Sequence, residues 1–232
     1  MSKYTKRQLE EQLDILEHEN RRYRRALNQI CIDVDATVDV NVNVDINRKV
    51  HPHEKTLRVL KRAEQEWDRY VTEPGEGGDS SRISYYIKST NCLGWTWEKD
   101  YVKNGQYAWC GAFASACFST DVLLSVRKST FSSCYRMHRD WGNSSRVQTI
   151  DNILPGDILT VYTSEERSPS YGNHIVLALS APDSEGLIDT IEGNAHGLSP
   201  DDSWVEGVVK RKRSVSTVAR VYRLIDEDYT HE

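Results

Sequence analysis

The sequence lacks any long apolar run. It contains no stretch of about 18 apolar residues and no apolar segment after Met1, so we expect neither a membrane-spanning helix nor an export signal. Hydrophobic residues make up 38% of the 232 residues, which is low for one uniform globule. An excess of positive charge is also missing, since 30 basic residues accompany 35 acidic ones. The composition therefore predicts no nucleic-acid binding.

Cysteine is scarce and irregularly spaced. The five cysteines are Cys31, Cys92, Cys110, Cys117 and Cys134. They form no C-x-x-C pair, and their odd number disfavours both a zinc site and a disulfide framework. We therefore expect no metal site and a reduced chain in which one thiol could be reactive.

Residues 1–73 have the pattern of an oligomerisation or attachment region. Spacings of four and three predict a coiled-coil helix of about 26 residues, with this seam: Leu9, Leu13, Leu16, Asn20, Tyr23, Leu27 and Ile30. Asn20 falls at an a position, where a buried amide fixes the register of an oligomer. The alternative interpretation is a lone amphipathic helix packed on its own domain.

The next segment, DVDATVDVNVNVDIN at 33–47, alternates polar residues with valines and an isoleucine. This period of two predicts a half-buried β-strand, and because such an edge would aggregate on a monomer, it favours the same homo-oligomer. The segment lacks the glycine and the closing glutamate of a calcium loop. A second helix is predicted from Pro52, and the glycine-rich stretch TEPGEGGDSS indicates a linker at 74–80.

Residues 81–232 are predicted to form an α+β domain. Helical segments come first, namely SRISYYIKSTN and the residues after Cys110. Strand patterns follow in GDILTVYT, NHIVLALS, LIDTIEGN, WVEGVVKRKR and VARVYRLI. Helices followed by a run of strands indicate an antiparallel sheet.

Cys110 is the candidate nucleophile because it begins a predicted helix of very small residues. A helix N-terminus and a neighbouring imidazolium both lower the pKa of a thiol. His174, which begins an apolar strand, is the candidate imidazole. If the following hairpin is symmetric about Asp183, Glu192 lies opposite His174, within a residue or two.

Asn194 lies two residues beyond Glu192 on the same face, where its amide could hold the ring or stabilise an oxyanion. A nucleophile, a base and an orienting group are what cysteine-dependent acyl transfer requires. His138 and His196 are competing bases, and Gln106 is a weaker candidate for an oxyanion donor. Cys117 has the pattern of a core residue.

Several other residues allow two interpretations. Aromatic residues around the cysteine could line a sugar-peptide groove or belong to the core; they are Trp95, Trp97, Tyr101, Trp109 and Trp141. The basic run KRKR at 210–213 is interpreted as a solvated strand edge.

Four motifs resemble the CHAP family, the cysteine, histidine-dependent amidohydrolases and peptidases related to the NlpC/P60 hydrolases. They are WCGAF at 109–113, LPGDILTV at 154–161, GNHIVLAL at 172–179 and IEGN at 191–194. The resemblance covers roughly residues 81–225 and implies a papain-like fold. It makes Cys110 the nucleophile, His174 the general base and acid, Glu192 its orienting group and Asn194 an auxiliary polar residue. The acidic calcium loop that some members carry before the cysteine is not reproduced in EKDYVKNGQYAW.

Members of this family cut amide bonds of peptidoglycan, and many are phage lysins. The resemblance therefore implies a peptidoglycan hydrolase, either an amidase or an endopeptidase, that needs no cofactor. With the oligomer signals, we expect a homo-oligomer attached to phage tail or baseplate proteins in the virion and acting at the bacterial cell wall. The alternative location is the host cytoplasm before holin-dependent release. Alternative functions are a non-catalytic structural tail protein with a degenerate hydrolase fold and a cysteine peptidase acting on a protein substrate.

Overall fold

The structure is a computed structural model that describes residues 54–73, 80–90, 108–119, 121–127, 129–165 and 167–229. These residues belong to one compact unit that begins at Val50. The predicted coiled coil, the valine-rich strand and residues 74–79 of the predicted linker lie outside the described residues, as do Cys31 and Cys92. In the described part, no helix combines the length and the apolar character needed to span a membrane.

The helices precede most of the sheet in the chain. They are α1 (Glu54–Asp68), α2 (Ser80–Ser89), α3 (Cys110–Phe118), α4 (Leu124–Arg127) and α5 (Cys134–Trp141). Helix α1 buries one stripe, because Thr56, Val59, Ala63 and Glu66 recur at spacings of three and four. Glu66 accepts hydrogen bonds from Arg82 and from the Tyr86 hydroxyl, so α1 and α2 are joined through a buried carboxylate.

Helix α3 is buried on all sides, which its small residues allow. Gly111 is required at its first turn because a Cβ there would lie 1.8 Å from the carbonyl oxygen of Phe131. The other neighbours of α3 are the sheet, α1 and α2. The helix that carries the candidate nucleophile is therefore held from several directions.

Six strands form one antiparallel sheet. They are β1 (Val147–Gln148), β2 (Ile158–Val161), β3 (His174–Ala178), β4 (Leu187–Leu198), β5 (Trp204–Ser214) and β6 (Val218–Tyr222), in the order β1-β6-β2-β3-β4-β5. Strands β2 and β3 are buried on both faces. One face packs on the helices through Ile175, Leu177 and Ile191, and the other carries a second apolar cluster around Val176 and Ile188. The predicted α+β class with an antiparallel sheet is confirmed.

The β3–β4 hairpin has a register slightly different from the predicted one. Leu177 pairs with Ile191 and Ala178 with Thr190. One residue further along, this register puts Glu192 opposite Val176, so Glu192 lies diagonal to His174 on the same face. The shift lies within the residue or two that the symmetric hairpin left open.

The segment after α1 joins the sheet rather than leaving it. Thr72 bridges to Gly207, and Val208 N–H donates to the Val71 carbonyl at 2.8 Å, so Val71–Glu73 covers part of the β5 edge. Gly207 allows this approach because a Cβ there would lie 2.2 Å from the Val71 oxygen. Residues 54–73, which the sequence pattern assigns to the N-terminal region, thus pack within the compact unit.

Candidate active site

The Cys110 side chain lies at the start of α3, only 8% exposed. Against the effect of burial, the nearby His174 imidazole and the backbone N–H groups of Gly111 and Ile175 lower the pKa of its thiol. Helix α3 supplies one of these N–H groups and strand β3 supplies the other. The structure therefore brings the side chains of Cys110 and His174, the candidate nucleophile and base, together.

His174 is the first residue of β3 and is buried. Its Nε2 atom lies 3.0 Å from Oε2 of Glu192. Since Nε2 is taken by the carboxylate, Nδ1 is the ring nitrogen left for the thiol. Glu192 therefore contacts the ring and restricts its orientation, reaching His174 diagonally across the hairpin.

Glu192 is fully buried and accepts hydrogen bonds from two residues besides His174. The Arg213 guanidinium binds both carboxylate oxygens, with Nε 2.8 Å from Oε1 and Nη2 2.6 Å from Oε2. The Thr190 hydroxyl donates to Oε1 at 2.6 Å. The carboxylate is thus held in one orientation by three side chains.

Strand alternation explains why these groups meet. Ile191 faces the helices, so Thr190 and Glu192 lie on the opposite face of β4. Arg213 lies on that same face because it pairs with Ile188, a residue of the second apolar cluster. A buried carboxylate on this apolar face requires a partner, and Arg213 provides one.

Charge compensation stabilises the ionised forms of the three groups. Burial opposes the Cys110 thiolate, but the His174 charge and the hydrogen bonds to sulfur outweigh it and lower the thiol pKa. Burial also opposes the imidazolium, yet Cys110 and Glu192 raise the pKa of His174 to about 9. Against the effect of burial, Arg213 and His174 lower the pKa of Glu192. The arrangement therefore favours a thiolate–imidazolium pair beside a carboxylate.

Asn194 holds the segment before the nucleophile. Its Oδ1 accepts from the Trp109 backbone N–H at 3.0 Å, and its Nδ2 donates to Oε1 of Glu73 at 3.2 Å. Its φ is 57°, a left-handed conformation that asparagine tolerates. Within the described ranges, its hydrogen bonds go to Trp109 and Glu73 rather than to His174, so the predicted contact with the ring is not formed.

Gly193 allows β4 to approach α3 closely. A Cβ there would lie 2.5 Å from the Phe113 Cβ and 2.6 Å from the Trp109 ring. The β4–β5 pairing shifts register between Glu192 and Ala195, so the chain bulges at this point. The bulge directs Glu192 to the imidazole and Asn194 to the backbone of Trp109.

The competing histidines take part in other contacts. His196 is exposed and lies 3.5 Å from Glu206, and His138 stacks on Tyr171 with ring centroids 5.6 Å apart. Cys117 is buried in the core, as predicted. Gln106 lies outside the described residues.

Of the two interpretations of the aromatic residues around the cysteine, the core interpretation holds for two. Trp109 and Trp141 are buried core residues that contact other aromatic rings. Trp95, Trp97 and Tyr101 lie outside the described residues.

Sequence reasoning missed Arg213, Thr190 and Glu73. Interpreting KRKR as a solvated edge is wrong for Arg213, which is buried against Glu192. The alternation of side chains along a strand could have indicated this burial, because it puts Arg211 and Arg213 on one face and the two lysines on the other. Glu73 gave no such signal, because only the docking of the segment after α1 brings it to Asn194 and to the Trp109 indole.

No group of three or more His, Cys, Asp or Glu side chains that could hold a metal ion occurs among the residues described. Comparisons of the chain with protein-family models, with curated proteins and with solved structures find no match. The geometry around Cys110 is therefore the basis for the functional argument.

Proposed function

We propose that the chain is a cysteine-dependent peptidoglycan hydrolase with a papain-like domain of the CHAP type. The observation that carries the proposal is the chain of contacts from Cys110 through His174 to Glu192. A thiol at a helix start, a histidine on the adjacent strand and a carboxylate behind the ring suit nucleophilic attack on an amide. Three of the four motifs that resemble the CHAP family supply these residues, and the fourth, LPGDILTV, contains β2, which pairs with β3.

The thiolate of Cys110 attacks the carbonyl carbon of the scissile amide. The resulting oxyanion forms near the start of α3, where the first backbone N–H groups have no partner within the helix. Imidazolium His174 donates its Nδ1 proton to the leaving amine, and an acyl-enzyme remains. His174 then takes a proton from water, the hydroxide attacks the thioester, and the thiolate leaves.

Each residue around the pair has a role in this cycle. Glu192 keeps the ring aligned while its charge alternates between neutral and positive. Asn194 and Glu73 fix Trp109, the residue immediately before the nucleophile. Gly111 and Gly193 allow the helix and strand to lie close enough for sulfur to reach the ring.

Location in the virion is part of the proposal and rests on the sequence patterns of residues 1–73. The heptads and the valine-rich segment favour a homo-oligomer attached to a phage tail or baseplate. Measuring the molar mass of the full chain in solution tests the oligomer, and a monomer at micromolar concentration would contradict it.

Incubation with purified peptidoglycan tests the activity. The wild type and Cys117→Ala should release soluble fragments, whereas Cys110→Ala should not, since at least about a thousandfold of rate depends on the nucleophile. Fragment masses identify the cleaved bond as muramyl-alanine or peptide. Release by Cys110→Ala, or no release by the wild type from walls of several chemotypes, would contradict the proposal. Cleavage of an unfolded protein instead would favour a peptidase.

A further inference from the structure

Arg213 lies behind the proposed catalytic carboxylate. Its side chain is 9% exposed and that of Glu192 is 0% exposed, and two parallel hydrogen bonds join them. Such a bidentate fork fixes both the position and the plane of a carboxylate. The pair is inaccessible to a substrate, so any effect of Arg213 on chemistry must pass through Glu192.

The contacts form one line of alternating charges. Cys110 as thiolate meets His174 as imidazolium, which meets Glu192 as carboxylate, which meets Arg213. These four charges sum to zero. Without Arg213 the same buried line would carry a net negative charge, and every member would bind a proton more readily.

Other titratable groups near this line are few in the described structure. Arg211, half-buried on β5, interacts with both Arg213 and Glu192. Cys134 of α5 lies close enough to interact with Cys110, and burial raises the pKa of its thiol, so it remains neutral. The Thr190 hydroxyl donates a hydrogen bond without charge. Arg211 does not replace the guanidinium fork on Glu192.

We propose that Arg213 is a positioning residue that keeps Glu192 ionised and aligned on His174, and so maintains the Cys110 thiolate. This role rests on the proposed cysteine chemistry of the site but not on the identity of its substrate. Arg213 makes no contact with the sulfur or the ring in this arrangement. Its effect is transmitted through one carboxylate.

A second ion pair, at the end of the same sheet, provides a matched control. Arg223, the residue after β6, binds Asp157, the residue before β2, with Nε and Nη2 each 2.8 Å from a carboxylate oxygen. Asp157 also accepts from the Leu154 N–H, and Arg223 donates to the Asn152 carbonyl. This pair ties a turn to β6 and contacts neither His174 nor Cys110. Arg223→Gln therefore removes a similar fork without touching the line of charges.

The test is the pH dependence of Cys110 alkylation by iodoacetamide in the full-length protein, followed by peptide mapping. In Arg213→Gln the midpoint of thiolate formation should rise by about one pH unit, giving about tenfold slower alkylation on the acid side of the midpoint. Arg213→Lys should show a smaller rise because it keeps the charge and loses the fork. Arg223→Gln should keep the wild-type midpoint, although both glutamine variants unfold at lower temperature.

Equal midpoints in wild type, Arg213→Gln and Arg213→Lys would overturn the proposal and leave Arg213 a structural residue. A wild-type Cys110 that titrates as an ordinary thiol would also overturn it. If Arg213→Gln does not fold, the midpoints of thiolate formation in Arg213→Lys and Arg223→Lys are compared instead. A rise in Arg213→Lys alone supports the proposal, and equal midpoints overturn it. Alkylation needs no substrate, so the two proposals can fail separately. If the Arg213 variants shift the midpoint as expected but the wild type releases no peptidoglycan fragments, only the proposed hydrolase function is contradicted.

Discussion

The two ends of helix α3 each carry a buried cysteine, yet the pKa values of the two thiols are shifted in opposite directions. Cys110 at the first turn has a lowered pKa, because the charge of His174 and the nearby N–H groups outweigh burial. Cys117, two turns on, has a raised pKa because burial dominates and the charge of Glu66 adds to it. The same residue type in the same helix is thus a candidate nucleophile at one end and a core residue at the other.

This difference shows what activates a thiol in this fold. Burial alone disfavours the thiolate at both ends of α3. Activation requires a nearby imidazole, and that depends on β3 beginning next to the helix start. Gly111 and Gly193 make this proximity possible, since side chains there would collide with Phe131 and Phe113.

The largest expected difference between the ends is in alkylation. Iodoacetamide should modify Cys110 at least about a hundredfold faster than Cys117 at pH 7, because the lowered pKa of Cys110 increases its thiolate fraction whereas Cys117 reacts only after local unfolding. Peptide mapping by mass spectrometry resolves the two sites. Comparable rates in the folded protein would remove the contrast.

The two ends of α3 should also differ in how much stability is lost when one carbon atom is added at the first end or removed at the second. Gly111→Ala should lower the free energy of unfolding by about 2–3 kcal/mol, because the added Cβ meets a backbone carbonyl that cannot move alone. Ala116→Gly, at the other end, should cost about 1 kcal/mol through helix propensity. Urea denaturation measures both, and a cost below about 0.5 kcal/mol for Gly111→Ala would show that the helix start is loosely packed.

The charge of His174 should depend on Cys110 and not on Cys117. The pKa of His174 is raised to about 9, with Cys110 first among the groups that raise it, so Cys110→Ala should bring it down while Cys117→Ala leaves it unchanged. The Cε1 proton of His174 reports this titration by NMR. Hydrolysis should accordingly rise with pH through the lowered thiol pKa and fall as the imidazolium is lost near pH 9. An unchanged His174 titration in Cys110→Ala would mean that the two groups are not coupled.

Local sequence signals predicted the parts of the site that follow from one element at a time. Cys110 at a helix start and His174 at a strand start could be identified from their neighbours. Glu192 came from hairpin symmetry, which was accurate enough to find the residue although the actual register is shifted. The α+β class followed from the order of helices and strands.

The missed contacts depend on how separate elements dock. Arg213 reaches Glu192 only because β5 pairs with β4 in a particular register, and a basic run alone does not reveal which member is buried. Uninterrupted strand alternation predicts Asn194 on the face of Glu192, where its amide would hold the imidazole or stabilise an oxyanion. The bulge after Glu192 interrupts that alternation and turns Asn194 to Trp109.

Asn194 offers the smallest and most specific test of how the reactive end of α3 is held. Asn194→Gly keeps the left-handed backbone and removes two hydrogen bonds, so it should cost about 1 kcal/mol of stability and slow Cys110 alkylation a few fold. Asn194→Ala should cost roughly 1 kcal/mol more, because alanine also disfavours a φ of 57°. Neither variant should alter the burial or slow labelling of Cys117. If Asn194→Gly matched the wild type in both stability and Cys110 labelling, the start of α3 would be held by packing on its glycines alone, and the asparagine of the IEGN motif would need another explanation.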